Sequence, residues 1–152
     1  MTDEPSGEEQ ATAPSINLDD GVERDHFLQT LVILANTDDI EIGVTLTVGG
    51  FLISGMLISG KKYHEGIKSL LSESIDDDSM LEYIQSIIDL PMAVYKDDDD
   101  DNRPISIMFI HLRNAQFFGS DGSHIPQPNG ALWRGRISEV SGFFLGCTAQ
   151  GF

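Results

Sequence analysis

The sequence predicts an α+β fold: an N-terminal helix and a five-stranded, strongly bent antiparallel sheet, curled into a small barrel of the Sm or SH3 kind. Two further helices are inserted after the second strand. Three observations carry this expectation. Apolar side chains alternate with polar ones and glycine from Ile40 to Val48, the two-residue period of a strand with one buried face. Gly49-Gly50 follows at once, and glycine accepts the positive φ of a two-residue hairpin turn. Apolar residues at helical spacing stand before this stretch and again over 60–90. A three-layer α+β sandwich is the alternative arrangement of the same elements.

Residues 1–18 are acidic and polar with little to bury and read as a disordered tail. Residues 19–152 are expected to form a single globular domain, with 60–104 as helical insertion and acidic loop. Asp20 with Glu23 has the spacing of a capping box. Phe27, Leu28, Leu31, Val32, Leu34 and Ala35 then share a helical face, and Asn36 or Asp38 ends it. With Gly49-Gly50 as the turn, Val48 faces Phe51, Leu46 faces Ile53, Val44 faces Gly55 and Ile42 faces Leu57. Gly55 is then the place for a sharp bend. Leu52, Met56 and Ile58 make the opposite face apolar too, and the first helix is its nearest cover.

Tyr63, Ile67, Leu70 and Leu71 form a short helical stripe. Ser79 with Glu82 offers a second capping box, and Pro91 stops that helix. Residues 96–104, KDDDDDNRP, repel one another and read as a solvated loop. Residues 105–118 read as a long strand, 119–130 as a surface loop, and 131–137 and 140–148 as the last two strands.

The net charge is −16 and the pI about 4.2. Such a charge repels nucleic acid and anionic lipid. It is unevenly spread: residues 1–101 hold 23 acids and 5 bases, residues 102–152 only 2 acids and 4 bases. The lone Cys147 permits no internal disulfide. The acidic start is unlike a signal peptide. No apolar run reaches the roughly 18 residues of a membrane span. Together these imply a cytoplasmic protein.

Motifs for chemistry are near misses. Residues 55–62 resemble a P-loop, but Lys62 replaces the Mg²⁺-binding hydroxyl and the middle residues belong to a strand. Asp97–Asp101 opens like a calcium loop, but Asn102 stands where glycine is needed and Met108 where glutamate is. The four histidines lack metal-ligand spacing. His111 reads as a core histidine and Cys147 as a buried thiol. No catalytic, cofactor or metal residue is expected.

The back third is the expected place for contact with partners. Its arginines and aromatic residues are of the types that anchor interfaces. The candidates are Arg113, Trp133, Arg134, Arg136, Phe143 and Phe144. On a strand, Trp133, Gly135 and Ile137 share one face, and Arg134 and Arg136 the other.

Three blocks of this sequence, GFLISGMLISGKKY (50–63), FIHLRN (109–114) and WRGRISEVSGFFLG (133–146), resemble the accessory gas vesicle protein U family. With the first helix the likeness covers about residues 27–148. The resemblance implies a non-enzymatic protein that modulates vesicle assembly, surface or clustering rather than forming the shell. Its implied partners are gas vesicle proteins or further copies of itself, with no cofactor, nucleic acid or membrane. The charge agrees, because a shell protein needs an apolar surface facing gas. Two alternatives rest on the residues alone. An Sm-like nucleic-acid-binding module is motivated by Arg134 and Arg136. A small hydrolase or ligand-binding module is motivated by His111 and the P-loop near miss.

Overall fold

The computed structural model describes residues 21–92 and 107–148. The expected tail and the Asp97–Asp101 run lie outside the described residues. Helix α1 (His26–Thr37) leads into a hairpin of β1 (Ile42–Val48) and β2 (Phe51–Ile58). Helices α2 (Gly60–Ser74) and α3 (Asp78–Met92) follow, then β3 (Phe109–Phe118), β4 (His124–Ile125) and β5 (Ala131–Arg136). A 3₁₀ turn (Ile137–Glu139) leads into β6 (Val140–Leu145).

The hairpin has the expected register, with Val48 opposite Phe51, Leu46 opposite Ile53, Val44 opposite Gly55 and Ile42 opposite Leu57. Gly49 and Gly50 both have positive φ, 57° and 83°, as a type I′ turn requires. Apolar pairing fixes this register because a slip of one residue would turn Val44 and Leu46 outward.

Among the described residues the sheet has six strands, all paired antiparallel. Its order is β4-β3-β2-β1-β6, with β5 also pairing β3. The extra strand, β4, is a two-residue pairing within the stretch expected to be loop. The barrel is not formed. Among the described residues β5 pairs β3 and β6 pairs β1, and no ladder joins β5 to β6. The bending devices are present: register shifts between Thr47 and Val48, between Ser54 and Met56, and between Leu112 and Ala115. They bring the edges near enough for three residues to pass from β5 to β6. The 3₁₀ turn sends β6 to β1 instead of back along β5, so the sheet stays open. Ile137 of that turn is buried, and its N–H donates to the Met108 carbonyl at 2.9 Å.

Helix α1 starts later than expected. Its cap is Asp25, whose carboxylate accepts from the Leu28 N–H at 2.9 Å. Leu28, Leu31, Val32 and Ala35 are buried in one cluster with Val44, Leu46, Ile53, Leu57, Ile110 and Leu112. The helix therefore covers the Val44 face of the hairpin, not the face carrying Leu52, Met56 and Ile58. That other face is met by α2. Ser59 caps α2 by accepting from the Lys62 N–H at 3.1 Å. The Tyr63 ring lies 4.7 Å from the His111 ring, and Gly66 passes close beneath the Leu132 side chain. Helices thus lie on both faces of the sheet, as a three-layer arrangement has them.

The cap of α3 is Asp77 rather than Ser79; it accepts from the backbone N–H groups of Ser79 and Met80 at 3.0 and 3.2 Å. The helix continues one residue past Pro91. Helix α3 packs chiefly on α2, where Lys68 forms an ion pair with Asp89.

Candidate interaction surface

Strand β5 sorts its residues by alternation. Trp133 faces inward and packs against the core cluster. Its indole lies across Gly135, two residues on along the same face. Arg134 and Arg136 point to the other side and are exposed. In the ladder they stand opposite His111 and Phe109. The Arg134 guanidinium sits 3.9 Å from the centre of the Phe109 ring, a cation–π contact that holds the arginine flat on the sheet.

The other candidates lie elsewhere. The Arg113 guanidinium donates from Nε and Nη2 to the Glu41 carboxylate. Lys62 bridges Glu41 and Asp39 at 3.0 Å each. The hydrogen bonds from Arg113 and then Lys62 hold the Glu41 carboxyl below its usual pKa. Arg113 is therefore matched by local carboxylates and adds little positive field near Arg134. Phe143 and Phe144 are on β6, at the edge of the sheet opposite β5. Phe143 packs on the core and stacks on Phe27 with ring centres 5.9 Å apart. Phe144 is exposed and stands opposite Thr45. The six residues do not make one patch: Arg134 and Arg136 form a pair at one edge, and Phe144 stands at the other.

Cys147 is exposed rather than buried. Strand β6 ends at Leu145, earlier than expected, and the chain then laps over the hairpin. The Thr148 N–H donates to the Ser54 hydroxyl at 2.7 Å, and the Thr45 hydroxyl donates to the Gly146 carbonyl at 2.9 Å. Thr45 and Ser54 are both buried. Residues 146–148 thereby satisfy two hydroxyls that the sheet leaves under cover.

His111 is buried beside Tyr63 and His64. Burial, and then the charges of Arg134 and His64, push its pKa down to about 3. The unfolded chain takes up a proton near pH 6.5 that the folded chain refuses. Stability is therefore full above that pH and falls as the pH drops toward 3. Between pH 7 and pH 5 the loss should be about 2 kcal/mol. The urea midpoint of His111→Phe should vary less over this interval than that of the parent. Equal slopes would show that His111 does not refuse the proton.

Among the described residues no group of three or more His, Cys, Asp or Glu side chains is placed to hold a metal ion. No helix there is long and apolar enough to cross a membrane. Of the P-loop near miss, residues 55–58 lie in β2, whose amides serve the ladders to β1 and β3, while Ser59 caps α2 and Gly60, Lys61 and Lys62 open that helix.

The fold and its surfaces define an acidic α+β protein that displays arginine and apolar side chains outward. Residues 25–148 match the family described as gas vesicle protein GvpU-like, and the chain belongs to that family. It is thereby a gas vesicle-related protein, and the likeness carried by the three sequence blocks is borne out. No curated protein and no solved structure matches the chain.

Proposed function

We propose that this chain is a non-enzymatic gas vesicle accessory protein. It acts in the cytoplasm, at or near vesicles, by protein–protein contact that modulates vesicle assembly, surface or clustering. The family match over residues 25–148 carries this reading. The exposed arginine pair supports contact as the mode of action. Arg134 and Arg136 stand free of close carboxylates on their own strand, and arginine readily makes bidentate contacts with carboxylates. The partner is a gas vesicle protein or a further copy of this chain, whose front two thirds is acidic.

Flotation tests the proposal, because gas-filled vesicles rise on gentle centrifugation and carry bound protein with them. The purified chain should float with isolated vesicles. Retention should fall as salt rises past the point where the Debye length is about 8 Å. Arg134→Glu with Arg136→Glu should lower retention by about tenfold, equivalent to ~1.4 kcal/mol. Folding should survive, since both side chains are exposed. A chain that stays below the vesicles at every salt concentration overturns vesicle contact. A folded double variant that floats like the parent moves the contact to another surface.

A further inference from the structure

Helix α3 has an apolar face that the described residues do not bury. It carries Met80, Leu81, Tyr83, Ile84, Ile87, Ile88 and Leu90, and not one of them is buried. Leu81, Ile84 and Ile88 are half-buried against α2. The others stand outward: Met80 is 50%, Tyr83 62%, Ile87 46% and Leu90 73% exposed. At 3.6 residues per turn these four fall within an arc of about 80° and span about 15 Å. Their spacing of three, four and three is that of a coiled-coil seam. A helix so apolar on both sides belongs between two neighbours, and among the described residues α3 packs chiefly on α2.

Charge identifies the missing neighbour. The charged residues of α3, Asp78, Glu82 and Asp89, are all acidic; Lys68 of α2 pairs with Asp89, which leaves Asp78 and Glu82 to set the sign of the face. Ser79 and Ser86 separate their row from the apolar one. Glu73, Asp76 and Asp77 add negative charge at the α3 N-terminal end. Two copies meeting through this face would set carboxylates against carboxylates. A helix with apolar seam residues and flanking lysines or arginines meets complementary charge and shape together.

We infer that the outer face of α3, Met80-Tyr83-Ile87-Leu90, docks a cationic amphipathic helix of a partner protein. This surface is separate from the Arg134 and Arg136 pair and has the opposite sign. The partner's apolar seam would fill the exposed row and its basic flank would meet Glu82 and the acidic end around Asp77.

The test uses the full chain and a labelled synthetic peptide of about three heptads, with leucine at the seam positions and lysine elsewhere. A scrambled peptide of the same composition and a leucine–glutamate peptide with the same seam are the comparisons. The ordered cationic peptide should bind at least about tenfold more tightly than either, by fluorescence anisotropy. Tyr83→Ser with Leu90→Ser keeps every charge and should weaken binding at least about tenfold, with unchanged helix content by circular dichroism. Should that variant lose structure, Glu82→Lys serves instead; it should weaken the cationic peptide and strengthen the acidic one. Three outcomes overturn the inference. One is equal binding of ordered and scrambled peptides. Another is undiminished binding to a folded variant. The third is sedimentation showing a dimer that Tyr83→Ser with Leu90→Ser dissociates, which would make a second copy the occupant.

Discussion

Gly55→Val is expected to destabilise the protein by about 3 kcal/mol or more, which lowers the thermal midpoint by roughly 10 °C for a chain of this size. Gly55 stands opposite Val44 in the hairpin, and sequence reasoning makes that pair the place of conflict. The structure puts the conflict on the other side of the strand. A Cβ at Gly55 would lie 2.9 Å from the Arg113 carbonyl oxygen and 3.1 Å from the Ala115 Cα. Both are backbone atoms of β3, where the register with β2 shifts. Backbone inside a ladder cannot swing aside as a side chain can, so the bulge would have to come apart. Val44→Ala should therefore fail to rescue Gly55→Val. Rescue would return the conflict to Val44, and an unchanged midpoint would mean that β2 and β3 do not approach this closely.

Gly135→Ala should cost about 2–3 kcal/mol although it adds a single methyl group. That methyl would fall 2.2 Å from Cη2 and 2.6 Å from Cζ2 of Trp133, far inside contact distance. The indole has two torsions and is wedged against the core, so relief means leaving its site. Trp133 is the chain's one tryptophan, and its emission should shift to the red as it meets water. Gly142→Ala is the matched comparison on β6, since nothing lies within 4 Å of a Cβ there; its effect should stay within about 0.5 kcal/mol. Loss of stability without the red shift would show that the indole does not lie across Gly135.

What was legible in the sequence depended on range. The hairpin could be read to the residue because its period, turn and partner are all local. The arginine pair could be read for the same reason, since alternation along β5 separates it from Trp133. Caps were misplaced where several competent residues crowd together: Asp25 follows Asp20, and Asp76, Asp77 and Asp78 precede Ser79. The side covered by α1 was misread because both faces of the hairpin are apolar, so alternation does not favour either. The pairing of Arg113 with Glu41 joins residues 72 positions apart, and no spacing rule reaches that far. Over 60–90 the sequence shows apolar residues at helical spacing, without marking the row Met80-Tyr83-Ile87-Leu90 as the exposed one. Its exposure depends on what lies next to the helix in space, and periodicity records only that a face is apolar.

The ladder between β1 and β6 has a consequence for how the chain is made. Val44 pairs Leu145 and Leu46 pairs Phe143, so the partners are synthesised about 100 residues apart. During translation the β1–β2 hairpin and α1 can assemble as soon as they emerge, because their contacts are local. The outer edge of β1 then waits, with its backbone groups bare, until β6 leaves the ribosome. A bare edge beside an apolar face invites pairing with a neighbouring nascent chain. Of the 25 acidic residues, 23 precede residue 102, so the waiting intermediate is born with nearly all of its negative charge. Mutual repulsion between such chains opposes that pairing during the interval.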